Sequence, residues 1–217
     1  MSNINKDYIK DYIMEVNPKP PTFLEEMHKY AINNHIPIVD NEVAQLLNVL
    51  IKIKGAKNIL EIGAAIGYSA ILMSNAMEKE GIVTTIERRE DMINLAKENI
   101  KKYNLENRIN LLEGEAQNIL PNINNRYDFI FIDAAKGKYM EFLPSCIDML
   151  KKGGVIVSDN VLFKGMVAND DLVVRRKKTI VRRMREYLKY ISDNPILETS
   201  ILPVGDGVAI SYKKEEK

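Results

Sequence analysis

Asp133 and the pair Asp159-Asn160 each follow directly after a short apolar segment that is typical of a β-strand. Two ionised carboxylates and one amide oxygen suit Mg²⁺, which keeps several waters and so leaves room for a substrate oxygen. A single Asp in such a place is more often the cap of the next helix. Two at matched positions, with Asn beside one of them, favour a metal. We therefore predict that Asp133, Asp159 and Asn160 bind a catalytic Mg²⁺, with Mn²⁺ left open as an alternative.

Two glycines mark a sharp turn after an earlier apolar segment, in the sequence Glu61-Ile-Gly63-Ala-Ala-Ile-Gly67-Tyr68-Ser69. Gly63 allows the strand to turn, and Gly67 allows a ligand to approach the start of the following helix. The spacing differs from the Gly-x-Gly-x-x-Gly dinucleotide pattern, which disfavours a nicotinamide dehydrogenase. By itself such a turn fits helix packing as well as it fits ligand binding.

Glu87 ends the next predicted strand, 20 residues after Gly67, where nucleotide-binding α/β folds place a carboxylate for the ribose hydroxyls. The segment around Ala116 follows the third predicted strand and is placed to close over an adenine. A helix cap and an ordinary loop are the alternatives for these two features. Together with the glycine turn they predict an adenosine site beside the metal ligands, because ligands collect at the carboxyl ends of parallel strands.

Apolar segments bounded by turn residues alternate with segments of helical periodicity from about Lys57 onward, which is typical of βαβ units. The predicted strands are Asn58–Ile62, Ile82–Glu87, Ile109–Glu113, Phe129–Asp133, Val155–Ser158, Glu198–Pro203 and Val208–Tyr212. The predicted helices are Lys6–Val16, Thr22–Asn33, Asn41–Ile53, Tyr68–Met77, Glu90–Tyr103, Lys138–Leu150 and Asp171–Ser192. We predict an α/β fold with a mostly parallel sheet covered by helices on both faces. The Asp206-Gly207 turn predicts that the sheet ends in an antiparallel pair, with Asp206 near the rim of the site.

The 217 residues are expected to form one domain, with a helical cap over residues 1–54 and an α/β core over residues 55–217. The formal net charge of +1 predicts no general attraction to nucleic acid or to membranes. Cys146 is the only cysteine, which excludes an intrachain disulfide. No segment is typical of a signal peptide or approaches the ~18 apolar residues of a membrane span, so we expect a soluble cytoplasmic protein without a membrane partner.

On these residues the chain resembles the cation-dependent class I S-adenosylmethionine O-methyltransferases of the catechol and caffeoyl-CoA type. Three segments carry the resemblance: Glu61-Ile-Gly63 with Gly67-Tyr-Ser69, Ile132-Asp133-Ala-Ala-Lys136, and Ser158-Asp159-Asn160-Val161. The resemblance implies a Rossmann-like, doubly wound seven-stranded sheet with one antiparallel strand, S-adenosyl-L-methionine as cofactor, and a homodimer that uses the amino-terminal helices. It also implies a cofactor site lined by Val39, Glu61, Gly63, Tyr68, Ser69, Glu87, Ala116 and Asp133.

The same resemblance implies catalytic roles for Asp133 and Lys136. A methyl sulfonium is already activated, so the enzyme has to supply a deprotonated hydroxyl aligned with the S–CH₃ bond. The metal would lower the pKa of that hydroxyl and fix its position. Lys136 matches the general base of the family, although a lysine chosen at random is usually only solvated.

A strongly basic segment runs from Lys164 to Lys189, with nine Lys/Arg residues against three acids. On the predicted helix Asp171–Ser192, five of these cations share one face and apolar residues occupy the other. Such a stripe is usually a solvated face, but five like charges repel one another and favour a polyanion such as RNA. We therefore predict that RNA is bound by Arg175, Lys178, Arg182 and Arg185.

A closer resemblance is to the bacterial tRNA 5-hydroxyuridine methyltransferases, in Asp159-Asn160-Val-Leu-Phe-Lys164-Gly165 and Pro203-Val-Gly-Asp-Gly-Val-Ala-Ile-Ser211. It implies that the partner is a tRNA anticodon loop, in which the 5-hydroxyl of the wobble uridine is methylated to give 5-methoxyuridine. The alternatives are a small-molecule catechol or hydroxycinnamoyl-CoA O-methyltransferase, and an RNA-binding protein without activity. A hydrolase is disfavoured, because the only two histidines, His28 and His35, lie in the amino-terminal region.

Overall fold

Seven strands form a single sheet in the computed structural model, which describes residues 4–215. The strands are β1 (Asn58–Ile62), β2 (Ile82–Glu87), β3 (Ile109–Glu113), β4 (Tyr127–Ile132), β5 (Leu150–Ser158), β6 (Leu197–Leu202) and β7 (Val208–Lys213). Their order is β3-β2-β1-β4-β5-β7-β6, and only β7 runs antiparallel to its neighbours β5 and β6. The strand order reverses between β1 and β4, which is where open α/β sheets bind ligands. The predicted fold class is confirmed.

The helices cover both faces of this sheet. They are α1 (Asp7–Val16), α2 (Thr22–Asn33), α3 (Asn41–Lys54), α4 (Tyr68–Ala76), α5 (Glu90–Lys102), α6 (Ala116–Ile119), α7 (Tyr139–Met149) and α8 (Lys178–Asp193). Buried residues of α2–α5 form one apolar cluster with the sheet and those of α6–α8 form a second, while Val181 of α8 packs with Phe163 and Met166 in a small third cluster. Within residues 4–215, no helix is long and apolar enough to cross a membrane.

The central strands are apolar on both sides because both of their faces are covered. In β1, Ile59 packs into one cluster and its neighbour Leu60 into the other, and both are fully buried. This alternation follows from the period of two in a strand, which sends successive side chains to opposite faces. A strand buried on both faces is therefore read as a continuous apolar run.

The boundaries of four strands differ from the prediction, those of β6 and β7 by a single residue. β4 begins at Tyr127 and β5 at Leu150, and the pairing between them shifts register between Tyr127 and Phe129. The sequence Lys151-Lys152-Gly153-Gly154 is typical of a turn, but these residues belong to β5. They lie between Leu150, which pairs with Tyr127, and Val155, which pairs with Phe129. β4 ends at Ile132, one residue before its predicted end, and β5 ends at Ser158 as predicted.

The predicted helix Asp171–Ser192 is wrong in its first third. Two separate 3-10 turns, Asp170–Leu172 and Arg175–Lys177, precede α8, which begins only at Lys178. The Asn169 side chain accepts a hydrogen bond from the Asp171 backbone N–H and so caps the first turn. The two β-branched residues between the turns are extended, since Val173 has ψ 108° and Val174 has ψ 142°.

Candidate active site

The residues predicted from separate motifs meet along one edge of the sheet. Ile62 pairs with Ile86 on one side and Ile132 on the other, and Ile132 pairs with Ser158. The next residue after each is therefore in the same row, which brings together Gly63, Glu87, Asp133 and Asp159. Backbone hydrogen bonds continue along that row, from Asp133 N–H to the Ile62 carbonyl and from Asp159 N–H to the Ile132 carbonyl, each 3.0 Å.

A cavity of about 450 Å³ opens at this edge, a size usual for small-molecule sites. Nine of the predicted site residues line it: Val39, Gly63, Tyr68, Ser69, Glu87, Ala116, Asp133, Lys136 and Asn160. Glu61 and Asp159 do not form its wall; they are 0 % and 1 % exposed and lie behind it.

Gly63 allows the turn after β1 to lie close to the end of β4, which is followed by the predicted metal ligand Asp133. Its φ is +105°, and a Cβ at this position would lie 2.1 Å from the carbonyl oxygen of Asp133. Any side chain there would push β1 and β4 apart at their carboxyl ends. The glycine is thus required by contact between two halves of the site as well as by its backbone conformation.

Glu87 is held rigidly at the end of β2. Its carboxylate accepts hydrogen bonds from the backbone N–H groups of Ala65, Arg88 and Arg89, each 2.9 Å. An ionised carboxylate has about four acceptor positions, so one remains for a ligand in the cavity. That remaining acceptor fits the ribose hydroxyl predicted for this position.

Glu61 supplies a second unused acceptor, beneath the cavity floor. One of its oxygens accepts a hydrogen bond from the Thr85 hydroxyl, while Oε1 has no hydrogen-bond partner in residues 4–215. Burial raises the pKa of Glu61 to about 7, against the opposing effect of the nearby Ser69 and Thr85 hydroxyls. An unpartnered buried carboxylate oxygen beside Ser69 fits a site that receives a cationic ligand.

Asp133, which is partly buried, and Asp159, which is buried, form a like-charged pair. Burial raises the pKa of Asp159 well above its usual range, and the charge of Asp133 raises it further. Burial also raises the pKa of Asp133, which the nearby Lys136 ammonium opposes. Buried carboxylates that repel one another require a compensating cation, so this donor set fits a divalent metal.

Asn160 and Lys136 complete this group. The Asp159 carboxylate accepts from the backbone N–H of Asn160 at 2.6 Å, and the Lys136 ammonium donates to the Asn160 side-chain oxygen at 2.8 Å. Within residues 4–215, no three His, Cys, Asp or Glu side chains converge as a metal group. The candidate ligand set therefore depends on the amide of Asn160 as its third member.

The loop after β5 adopts an unusual backbone. Asn160, Phe163 and Lys164 have φ values of +56°, +45° and +58°, in the left-handed region that side-chain-bearing residues rarely occupy. The turn before β7 holds this loop, since Val161 N–H donates to the Gly207 carbonyl at 2.9 Å and Leu162 N–H to the Asp206 carbonyl at 3.0 Å. The Asp206 carboxylate also accepts from the backbone N–H of Lys164.

Phe163 connects this loop with the basic segment. Its ring lies 5.7 Å from the Lys136 ammonium and 5.7 Å from the Lys177 ammonium, so it is bordered by two cations. Phe163 is 8 % exposed and also packs against Met166 and Val181. Phe163 thus connects Lys177 of the basic segment with Lys136, the candidate general base.

The basic segment does not present the predicted single face. Arg175 lies in the 3-10 turn before α8, and Arg185 is tied inward to the Val167 carbonyl at 2.9 Å and the Asp170 carboxylate at 2.7 Å. Arg182 pairs with Glu186 at 2.5 Å. In contrast, the exposed side chains of Arg175, Arg176 and Lys178 make no ion pair with any residue between 4 and 215. RNA contact by any of these residues stays a prediction.

Two side chains at the site carry no sequence signal that would have identified them. Asp40 lines the cavity at the start of α3. The buried Tyr139 hydroxyl lies 3.2 Å from the Ile132 carbonyl and 2.9 Å from the Asp159 carbonyl, and so ties the ends of β4 and β5 together. Both depend on contacts between segments far apart in the chain, which spacing along the sequence does not reveal.

Comparison with known proteins identifies the family of this chain. The model of the O-methyltransferase family matches residues 14–214. Caffeoyl-CoA O-methyltransferase 1 of Arabidopsis thaliana is 33 % identical, over 96 % of this chain and 85 % of that protein. A Staphylococcus aureus crystal structure, described as a candidate caffeoyl-CoA O-methyltransferase, is 37 % identical with a TM-score of 0.86, over 97 % of this chain and 100 % of its own.

A second solved structure contains a product of the cofactor. The Bacillus cereus O-methyltransferase, in complex with S-adenosylhomocysteine, is 28 % identical with a TM-score of 0.84, over 95 % of this chain and 97 % of its own. Fold, site and relatives together define a class I S-adenosylmethionine-dependent methyltransferase. The chain belongs to the caffeoyl-CoA O-methyltransferase-like family of S-adenosylmethionine-dependent O-methyltransferases.

Proposed function

We propose that this enzyme transfers the methyl group of S-adenosylmethionine to the 5-hydroxyl of 5-hydroxyuridine at the tRNA wobble position, giving 5-methoxyuridine, and that it requires Mg²⁺. One observation carries the choice of acceptor. The two segments that resemble tRNA 5-hydroxyuridine methyltransferases bond to each other, and Phe163 of the first contacts Lys177 of the basic segment. A surface suited to phosphates therefore borders the acceptor end of the cavity.

In this proposal Asp133, Asp159 and Asn160 hold the Mg²⁺. When bound, the ion would act as a Lewis acid and template for the acceptor oxygen. Lys136, in its neutral form, takes the proton of the acceptor hydroxyl at Nζ. The oxygen then bonds to the methyl carbon while the C–S bond breaks, which converts the sulfonium to the neutral thioether of S-adenosylhomocysteine.

The cofactor would lie along the row of strand ends. Glu87 accepts from the ribose, Ala116 and its backbone neighbours contact the adenine, and the methionine part faces Val39, Gly63 and Ser69. Glu61, through its unpartnered oxygen behind Ser69, stabilises the positive charge of this end of the cofactor. Tyr68, which is buried in the wall, shapes the pocket.

A 5-hydroxyuracil and a catechol are chemically equivalent in one respect. Each offers two neighbouring oxygens, the 5-hydroxyl with the 4-carbonyl or two vicinal hydroxyls, to one metal. The relatives named caffeoyl-CoA O-methyltransferases favour the second candidate, a small-molecule catechol or hydroxycinnamoyl-CoA acceptor. The two candidates differ in whether the exposed cations near Phe163 matter for turnover.

The test measures methyl transfer from labelled S-adenosylmethionine, with Mg²⁺ or with EDTA. The acceptors are tRNA that carries 5-hydroxyuridine, the same tRNA with unmodified uridine, and a catechol. Preferred labelling of the first tRNA, lost in EDTA and regained with Mg²⁺ or Mn²⁺, supports the proposal. Labelling of the catechol alone would replace it with the small-molecule function.

We also propose a cytoplasmic homodimer that uses the amino-terminal helices. α1 buries none of its own residues, and its Tyr8 and Tyr12 side chains are 71 % and 64 % exposed. Aromatic side chains of this kind are enriched in interfaces. Light scattering is expected to give twice the chain mass for the wild type and a smaller mass for Tyr8→Ser with Tyr12→Ser.

A further inference from the structure

Asp40 occupies the position before α3 at which an Asp normally caps a helix. Its backbone is extended (φ −60°, ψ 147°), as a cap residue requires, yet its side chain makes no capping hydrogen bond. Asp40 instead lines the cavity, at its border with a second cavity that also contains Lys10. An acid that leaves the helix end without its usual acceptor and faces a ligand cavity calls for another explanation.

The Asp40 carboxylate has unused capacity to accept hydrogen bonds. Its nearest cation is the Lys10 ammonium of α1 at 3.6 Å, which is longer than a hydrogen bond. Among residues 4–215, no donor forms a hydrogen bond with this carboxylate. Its side chain is 46 % exposed, so a ligand in the cavity can reach it.

Its surroundings belong to the acceptor end of the cavity. A Cβ at Gly205 would lie 3.3 Å from Asp40 Oδ2, so the carboxylate adjoins the turn that holds the loop after Asn160. Its charge also contributes to raising the pKa of Asp133, Asp159 and Asp206. The adenine and ribose ends are formed by Ala116 and Glu87, on other strands.

We propose that Asp40 is a specificity-determining residue that accepts a hydrogen bond from a ring N–H of the acceptor. This inference rests on the proposed function, and in 5-hydroxyuracil the donor is the imide N3–H. The 4-carbonyl that would face the metal is bonded to the ring carbon next to N3. A carboxylate beside the metal ligands is therefore on the side toward which the imide hydrogen points.

The same carboxylate disfavours an acceptor that lacks the donor. A catechol ring would cover Asp40 and remove water from it without replacing the hydrogen bond. A charged acceptor left without a partner is costly, and sites built around such a bond discriminate strongly against analogues that lack it. Asp40 would thus separate two acceptors that the metal alone treats as equivalent.

The experiment compares wild type with Asp40→Ala on three acceptors. These are an anticodon stem-loop with 5-hydroxyuridine, the same stem-loop methylated at N3 of that base, and a catechol. For wild type we expect N3-methylation to lower kcat/KM at least tenfold. For Asp40→Ala we expect a similar loss on the unmethylated stem-loop, no further loss on N3-methylation, and equal or faster catechol turnover.

Two controls isolate the carboxylate. Lys10→Gln removes the ion pair but keeps Asp40, and it is expected to retain the preference for the stem-loop. The dissociation constant of S-adenosylmethionine, measured by calorimetry, should be unchanged in Asp40→Ala. Should the alanine variant fold poorly, Asp40→Asn keeps the shape and one carbonyl acceptor, and is expected to show a smaller loss of the same pattern.

The contrary outcomes are distinct. Equal loss by Asp40→Ala on all three acceptors, or the same loss in Lys10→Gln, would overturn the role of Asp40 and leave the proposed function standing. Wild-type turnover of the catechol without turnover of the stem-loop would overturn the proposed function and the role of Asp40 together. Additive losses from N3-methylation and from Asp40→Ala would likewise overturn the hydrogen bond.

Discussion

This enzyme has two clusters of like charge, which differ in how far water and nearby residues of opposite charge neutralise them. Asp159 lies buried and Asp133 partly buried at neighbouring strand ends, where Lys136 is the cation that opposes their repulsion. The cations of the basic segment lie at the surface, where Arg182 and Arg185 pair with acids nearby. Both clusters are equally visible in the sequence, but the surface cluster is partly neutralised by acids and is well solvated, whereas the two aspartates repel each other where burial disfavours charge.

The difference teaches which kind of charge cluster predicts a ligand. The sheet fixes the two aspartates, because each continues a strand whose partner is set by the ladder of hydrogen bonds. Side chains on a surface helix can turn toward whichever acid is close, and exposed pairs are worth little. A buried excess of charge therefore indicates a ligand far more strongly than an exposed one.

The largest expected effect comes from removing one of the buried acids. Asp159→Ala should lower methyl transfer about 1,000-fold, or about 4 kcal/mol in transition-state stabilisation, because the metal would lose a charged ligand. The affinity for S-adenosylmethionine should change little, since Asp159 makes none of the proposed contacts with the cofactor. Initial rates with Mg²⁺ and calorimetric titration of the cofactor test this, with Asp159→Asn as the isosteric control. Equal loss of rate and cofactor affinity would contradict the metal assignment.

The effect of the buried Glu61 carboxyl is measured on the free energy of unfolding rather than on activity. Its folded-state pKa of about 7 lies above its ordinary 4.5, so the folded state binds the proton more tightly. Its contribution to stability is present below pH 4.5 and is lost as the pH rises through 7. Relative to wild type, Glu61→Gln should therefore gain on the order of 3 kcal/mol in unfolding free energy between pH 4.5 and 8. Urea unfolding of the cofactor-free proteins measures it; a pH-independent difference would show that Glu61 is already ionised.

The exposed cations without ion pairs should have the next largest effect. Arg175→Gln with Lys178→Gln should weaken tRNA binding about tenfold and reduce the slope of log K against log salt by about two. Lys189→Gln is the matched control, because that lysine already pairs with Asp193 at 2.8 Å. Binding titrations at several salt concentrations supply both values. An unchanged slope would mean that the whole segment is a solvated face.

Arg185 should show the smallest effect, and on stability rather than on RNA. Arg185→Gln should lower the free energy of unfolding by about 1 kcal/mol, because it loses hydrogen bonds to the Val167 carbonyl and the Asp170 carboxylate. The salt dependence of tRNA binding should stay that of wild type. A reduced slope with unchanged stability would restore Arg185 to the predicted RNA-binding set.

The sequence predicts the strand ends well because turn residues mark them. β1, β2 and β3 have the predicted boundaries, and Gly63, Glu87, Asp133 and Asp159 each lie within one residue of a strand end. In a parallel sheet this is enough to bring Gly63, Glu87, Asp133 and Asp159 into one row. Separate local motifs thus predict a single crevice without any knowledge of long-range contacts.

Features that depend on a competition between local structures are not predicted. The helical periodicity of residues 171–192 is real for α8, but the Asn169 cap and the extended Val173 and Val174 prevent the helix from starting earlier. Asp40 looks like an ordinary helix cap until the turn at Gly205 is found beside it. The start of α8 and the position of the Asp40 side chain both depend on contacts in the folded chain that local sequence does not determine.

The backbone of the loop after β5 has a consequence for how this enzyme could change over generations. Phe163 and Lys164 hold left-handed conformations that cost roughly 1–2 kcal/mol per residue for an ordinary side chain, and glycine at either place would relieve that cost. At Phe163 this relief is smaller than the loss, because removing a large core side chain costs about 3–5 kcal/mol and this ring is only 8 % exposed. The same mutation would also remove the ring that contacts both Lys136 and Lys177. Stability and the position of Lys136 therefore favour the same residue at 163, so a lineage that lost this ring would lose both at once.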